Sequence, residues 1–167
     1  ISDQRISWNR INAFHMDEYI GVLPDAPQSF GNFLRIRIFD KVPFKNVYYL
    51  NGHATDLEEE CTRYTSLLSQ FPTDIVCLGI GENGHIAFND PDVANFNDHK
   101  LVKIVKLDHV CRQQQVNEKC FETLEQVPTE ALTLTIPALL KAKWMFCIVP
   151  FKNKSQAVYR TIHGDIS

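Results

Sequence analysis

Two stretches of this chain are apolar without interruption: Ile75–Leu78 (Ile-Val-Cys-Leu) and residues 144–149 (Trp-Met-Phe-Cys-Ile-Val). Runs of this length predict strands buried on both faces, the pattern of inner strands in a parallel sheet. Elsewhere the period changes. Leu57, Cys61, Tyr64, Leu67, Leu68 and Phe71 recur at helical spacing, with Thr55-x-x-Glu58 as a capping box and Pro72 as the stop. Residues 28–42 predict another helix, with Phe30, Phe33, Leu34 and Ile38 at helical spacing and Pro43 ending it.

The remaining segments follow the same punctuation. Residues 10–20 predict a strand that breaks at Gly21 and Pro24, and residues 47–50 a short strand ended by Asn51-Gly52. Residues 101–107 alternate, with Lys103 and Lys106 among apolar positions, as a partly exposed strand does. Residues 108–124 are mostly polar and predict a helix with an adjoining loop. Within residues 131–140, Pro137 suits the first turn of a short helix. Residues 152–163 predict a final helix ending at Gly164. Strand–helix alternation with short connections predicts one α/β domain, its mostly parallel sheet covered by helices on both faces. No internal repeat or low-complexity segment interrupts it.

The chemistry concentrates in residues 74–91. The strand Ile75–Leu78 opens into Gly79, Gly81 and Gly84, followed at once by His85, with Ile86 and Phe88 around it and Asn89 and Asp90 closing the segment. Glycines permit positive φ and close approach, and imidazole titrates near neutrality. Parallel sheets present reactive groups at the carboxyl ends of their strands. By spacing alone a structural histidine fits equally well. A second stretch, Met16-Asp17-Glu18-Tyr19, places two carboxylates at a strand exit, where a solvated pair is the ordinary reading.

Composition narrows the partners. The 167 residues suffice for one domain with a proper core, and 44% hydrophobic and 22% charged residues are ordinary for a globular protein. A net charge of −3 supplies no basic field for nucleic acid or anionic lipid. No apolar run approaches the roughly 18 residues of a membrane span. Five scattered cysteines without a Cys-x-x-Cys pair suit a reducing cytoplasm better than a disulfide framework.

The segment Gly81-Glu-Asn-Gly-His-Ile-Ala-Phe-Asn-Asp90 resembles the signature of the glucosamine-6-phosphate deaminase (isomerase) family, and Met16-Asp17-Glu18-Tyr19 resembles a second family segment. The related 6-phosphogluconolactonases share the Gly-x-Gly-x-x-Gly-His frame but continue differently. The resemblance implies a Rossmann-like α/β domain over 1–167, lacking a phosphate-loop unit before Ile1 and a strand and helix after Ser167. It implies isomerising deamination of an amino-sugar phosphate in the cytoplasm, on a small-molecule sugar phosphate, with no cofactor and no metal; a homo-oligomer is compatible with it.

By the same resemblance, Asp17 matches the base at substrate C2 and His85 the ring-opening histidine. Asn83 and Asp90 stand where the family has Asp and Glu, so Asn83 is expected to orient His85 and Asp90 to carry the charge coupling. Gly79, Gly81 and Gly84 fall at the substrate. Lys154 matches a phosphate-contacting lysine, and Arg112 or Lys119 a second cation. Leu101 lies close to where regulated members have an arginine, which argues against allosteric control. The alternatives are a lactonase-like sugar-phosphate hydrolase and a non-catalytic sugar-phosphate sensor.

Overall fold

The computed structural model describes residues 5–150 and 152–164. Ile1 and Ser167, on which the expectation of missing flanking units rests, lie outside them. The segment expected as one strand is two: β1 (Asn12–Phe14) and β2 (Asp17–Tyr19), separated at His15 and Met16. The break lets the chain serve two sheets. β1 pairs in parallel with β3 (Asn46–Tyr48), Phe14 opposite Tyr48. β2 instead runs antiparallel to β6 (Glu130–Leu134), with Asp17 opposite Thr133. On its other side β6 pairs antiparallel with β5 (Val102–Lys106). A third sheet joins β4 (Ile75–Leu78) in parallel to β7 (Trp144–Cys147).

The α/β class is therefore as expected, but the predominance of parallel pairing is not. Among the described residues there are two parallel pairs and one three-stranded antiparallel sheet. Strand direction is set by partners distant in the chain, which local periodicity does not encode. β6 is the largest difference. Residues 131–140 are a strand followed by the short helix α4 (Ile136–Leu140), with Pro137 in its first turn and Thr135 capping it.

Helices follow their signals more closely. α1 (Phe30–Leu34) continues as a wider π turn (Arg35–Phe39) and is capped by Ser29, which accepts from Asn32 N. α2 (Leu57–Gln70) is capped by Asp56 through Glu59 N, one residue beyond the expected Thr55 box. It lays Cys61, Tyr64 and Leu68 into a core with Val76, Val102 and Leu132. α3 (His109–Asn117) is capped by Asp108. α5 (Ser155–His163) ends at Gly164, whose backbone is extended rather than left-handed.

Burial of β4 and β7 on both faces is not observed. β4 alternates, with Val76 and Leu78 buried but Ile75 56% exposed, and all of β7 is exposed. Among the described residues nothing covers that outer face. A second, smaller core gathers Tyr19, Phe88, Cys111 and Phe121 beneath α3, and this core adjoins the candidate site.

Candidate active site

β4 ends at Leu78 and the chain turns through the glycines to His85. Gly84 needs its freedom, since its φ is +92°. Gly81 needs its bareness: a Cβ there would clash with the His85 ring. Gly79 is less constrained, its nearest contact being Ile148 O at 3.6 Å. Two of the three glycines thus shape the bed on which the imidazole lies.

Asp90 and Asn83 both reach that imidazole. His85 Nδ1 lies 3.0 Å from Asp90 Oδ1 and 2.5 Å from Asn83 Oδ1. Asn83 Nδ2 donates to the same Asp90 oxygen at 3.0 Å, and Asn83 Oδ1 accepts from His85 N at 3.1 Å. Both oxygens at Nδ1 are placed to accept, so Nδ1 carries a proton and Nε2 is the nitrogen left to exchange one. Asp90 is buried, 2% exposed. Burial pushes its carboxyl up, but hydrogen bonds from His85 and Asn83, the charge of His85 and the Cys111 thiol together hold it below the usual carboxylate range. It is ionised at neutral pH.

β6 connects this loop to Asp17. Thr133, opposite Asp17 in the sheet, accepts from Phe88 N through Oγ1 at 3.1 Å. Asn89 Nδ2 donates to Leu134 O at 2.8 Å and to Ile86 O at 3.0 Å. The histidine loop is thus stapled to the strand that carries Asp17's partner. Asp17 is raised to about 7, by burial first and then by the charge of Glu18, while the charge of His85 pulls it back. Residues 68 positions apart in sequence share one electrostatic environment.

Glu18 is not the solvated carboxylate expected of it. It is buried and accepts from Ser29 Oγ at 2.7 Å, Gly31 N at 2.9 Å, Phe30 N at 3.2 Å and Tyr19 N at 2.9 Å. It anchors the start of α1. His15, fully buried 3.9 Å from Glu18, is lowered to about 4 by burial and stays neutral.

The candidate cations separate. Arg112 is occupied, its Nη2 donating to Leu124 O at 2.7 Å and Val127 O at 2.9 Å. Lys119, in a left-handed conformation with φ 61°, lines a cavity of about 530 Å³ with Gln28 and Glu122, and an adjoining one of about 400 Å³ beside Tyr19 and Phe33. Neither cavity is lined by Asp17 or His85. Lys154 is half-buried directly before α5. Its neighbour Asn153 donates to Glu82 Oε1 at 2.5 Å, which ties this segment to the histidine loop. All five cysteines are free. Among the described residues no group of three or more His, Cys, Asp or Glu is placed to hold a metal ion, and no helix is long and apolar enough to cross a membrane.

Of these residues, the roles of Glu18, Asn89 and Thr133 are not readable from sequence. The alternation Ala131-Leu-Thr-Leu-Thr135 was the available signal for β6, and hence for Thr133. Burial of Glu18 depends on α1 folding back over it, which no local pattern announces.

Fold and site define an α/β domain presenting a histidine–carboxylate pair at a strand exit, with a second carboxyl coupled to it. The chain belongs to the family described as glucosamine-6-phosphate isomerases/6-phosphogluconolactonase, whose model matches residues 1–166. Glucosamine-6-phosphate deaminase of Bacillus cereus (strain B4264) is 39% identical over 163 residues, 98% of this chain and 60% of the relative. That of Bacillus cytotoxicus is 37% identical over 167 residues, 100% of this chain and 62% of the relative. The chain thus spans about three-fifths of the length of these relatives. A solved monomeric glucosamine-6-phosphate deaminase superposes with a TM-score of 0.88 at 34% identity, covering 98% of this chain and 67% of the other. The 6-phosphogluconolactonase of Thermotoga maritima shares the fold at a TM-score of 0.75 and 24% identity, covering 97% of this chain and 67% of the other.

Proposed function

We propose that the protein catalyses the isomerising deamination of glucosamine 6-phosphate, or its C4 epimer, to a ketose 6-phosphate and ammonia. The observation that carries this is Thr133, which faces Asp17 in the sheet and accepts from Phe88 N of the histidine loop, so that the charge of His85 is felt at Asp17. His85 Nε2 moves the proton between the anomeric hydroxyl and the ring oxygen, which opens the sugar. Asp17 abstracts the proton at C2 and returns it to C1, leaving an imine at C2. Water adds to that carbon and ammonia departs. A base performs best when its pKa lies near the working pH, and a carboxyl held near 7 meets that condition.

Lys154, at the start of α5, is assigned to the 6-phosphate, where a helix N-terminus adds attraction for an anion. Arg112 is spent on backbone carbonyls, which leaves Lys119 as the other candidate for a second cation. Gly79, Gly81 and Gly84 form the wall against which the sugar lies. Five free cysteines suit a cytoplasmic setting.

The test is ammonia release by the full-length protein from glucosamine 6-phosphate and galactosamine 6-phosphate, with 6-phosphogluconolactone hydrolysis alongside. Turnover of one amino sugar, abolished by Asp17→Asn, supports the assignment. Lactone hydrolysis without ammonia release overturns it in favour of the hydrolase reading. Tight binding of the sugar phosphate without turnover would make the protein a sensor.

A further inference from the structure

Lys103 and Lys106 both punctuate the alternating strand β5, but only Lys106 stays in solvent. The Lys103 side chain is 14% exposed, and its Nζ donates to Val93 O at 2.6 Å and to Asp98 Oδ2 at 2.9 Å. Asp98 is shielded to the same degree, and its Oδ1 accepts from Lys100 N at 3.0 Å. Taken alone, this pair is a staple on a surface loop. Its place in the sheet gives it a further consequence.

Lys103 of β5 faces Thr133 of β6, which in turn faces Asp17 of β2, so the three form one row across the antiparallel sheet with their side chains on one face. The chain that leaves His85 crosses that row. Thr133 Oγ1 accepts from Phe88 N at 3.1 Å, and further along Lys103 takes Val93 O. Asp90 lies between the two ties. Its carbonyl accepts from Val93 N at 2.9 Å and from Ala94 N at 2.8 Å, so a hold on Val93 is a hold on the turn that begins at Asp90. From Pro91 to Asn97 every residue except Val93 is exposed, which leaves this stretch little packing of its own to fix it.

We infer that Lys103 is a positioning residue: by clamping Val93 and Asp98 to the sheet it fixes the turn at Asp90, and with it the carboxylate that sits 3.0 Å from His85 Nδ1. It acts through Asp90 and touches none of the reacting atoms. The consequence for turnover rests on the deaminase reading; the consequence for the imidazole does not.

The test compares wild type, Lys103→Met, Lys103→Arg and, as a control, Lys106→Met in the full-length protein. Methionine keeps the apolar stem and deletes the ammonium. Long-range proton–nitrogen NMR of the substrate-free protein in alkaline solution reads the His85 tautomer. Wild type should show one tautomer, with the proton on Nδ1; in Lys103→Met the two ring-nitrogen shifts should converge as the other tautomer becomes populated. In the same variant kcat should fall by about tenfold, with KM changed less than about twofold, because a ring displaced by a fraction of an ångström loses part of the roughly 10²-fold that a displacement near 1 Å costs. Lys103→Arg, which offers more than one donor, should recover most of both readouts, and Lys106→Met should move neither. Wild-type shifts and kcat in Lys103→Met, with only a lower Tm, would reduce Lys103 to a loop staple and overturn the inference. Should that variant not fold, Lys103→Gln, too short to reach both acceptors, is read in the same way. If wild type releases no ammonia, the functional reading fails while the tautomer comparison still decides this one.

Discussion

Asp90 Oδ1 sits 3.0 Å from His85 Nδ1 although Asp is one methylene shorter than the Glu that the sequence resemblance leads one to expect there. The turn from Ile86 to Asn89, closed by Asn89 N to Ile86 O at 3.1 Å and passing through left-handed Ala87 at φ 50°, brings the shorter side chain within reach. Asn83 contributes an oxygen and an amide but no charge.

Removing Asp90 therefore leaves His85 with a neutral partner only. Asp90→Ala should lower kcat by about two decades or more, and Asp90→Asn by less, because the amide can still orient the ring. Steady-state kinetics with a Tm control distinguishes this from unfolding. Near-normal turnover in Asp90→Ala would transfer the orienting role to Asn83 alone.

The glycines can be ranked by what a methyl group would strike. Gly81→Ala places Cβ inside contact distance of the His85 ring, so the ring must move. A displacement near 1 Å in a catalytic group costs roughly 10²-fold. Gly79→Ala meets only Ile148 O at 3.6 Å and should retain activity within a few-fold. Equal losses in the two variants would mean that the loop as a whole, not the ring's bed, is what matters.

This contrast shows how far the sequence could be read. The motif placed His85, Asn83 and Asp90 on one loop correctly because they lie within eight residues, where local geometry leaves few choices. The helices were recoverable because their stripes and caps are local. Strand partners were not: Asp17 faces Thr133 across 116 positions, and β6 was hidden behind the helix signal of Pro137. The face of β4 carrying Ile75 and Cys77 read as buried because composition reports what a face tolerates, not what covers it.

Glu18 offers a separable test of structure and tuning. It receives four donors, including the two backbone N–H groups that open α1. Glu18→Ala should destabilise by about 3 kcal/mol, since it strands those donors in the interior. Glu18→Gln keeps an acceptor but removes the charge that raises Asp17. The acid limb of kcat/KM should then move to lower pH in Glu18→Gln. If the limb stays put, burial alone sets the Asp17 pKa.

Asp17 itself couples function to stability with a definite sign. Its carboxyl rises from 3.8 to about 7 in the folded protein, so the native state binds more protons than the unfolded chain between these values. Stability contributed by this group is thus full at low pH and falls as pH climbs towards 7 and above. Asp17→Asn mimics the protonated form. It should stabilise the protein by about 1–3 kcal/mol at pH 8, or several degrees in Tm, with the gain vanishing towards pH 4. The same substitution should abolish turnover by at least 10²-fold, because the amide cannot take the C2 proton. Wild-type kcat/KM should rise with pH through about 7 as the base ionises. Thermal melts of both proteins from pH 4 to 8, beside the rate profile, check all three. A stability difference independent of pH would mean that Asp17 is ionised throughout and not held near neutrality.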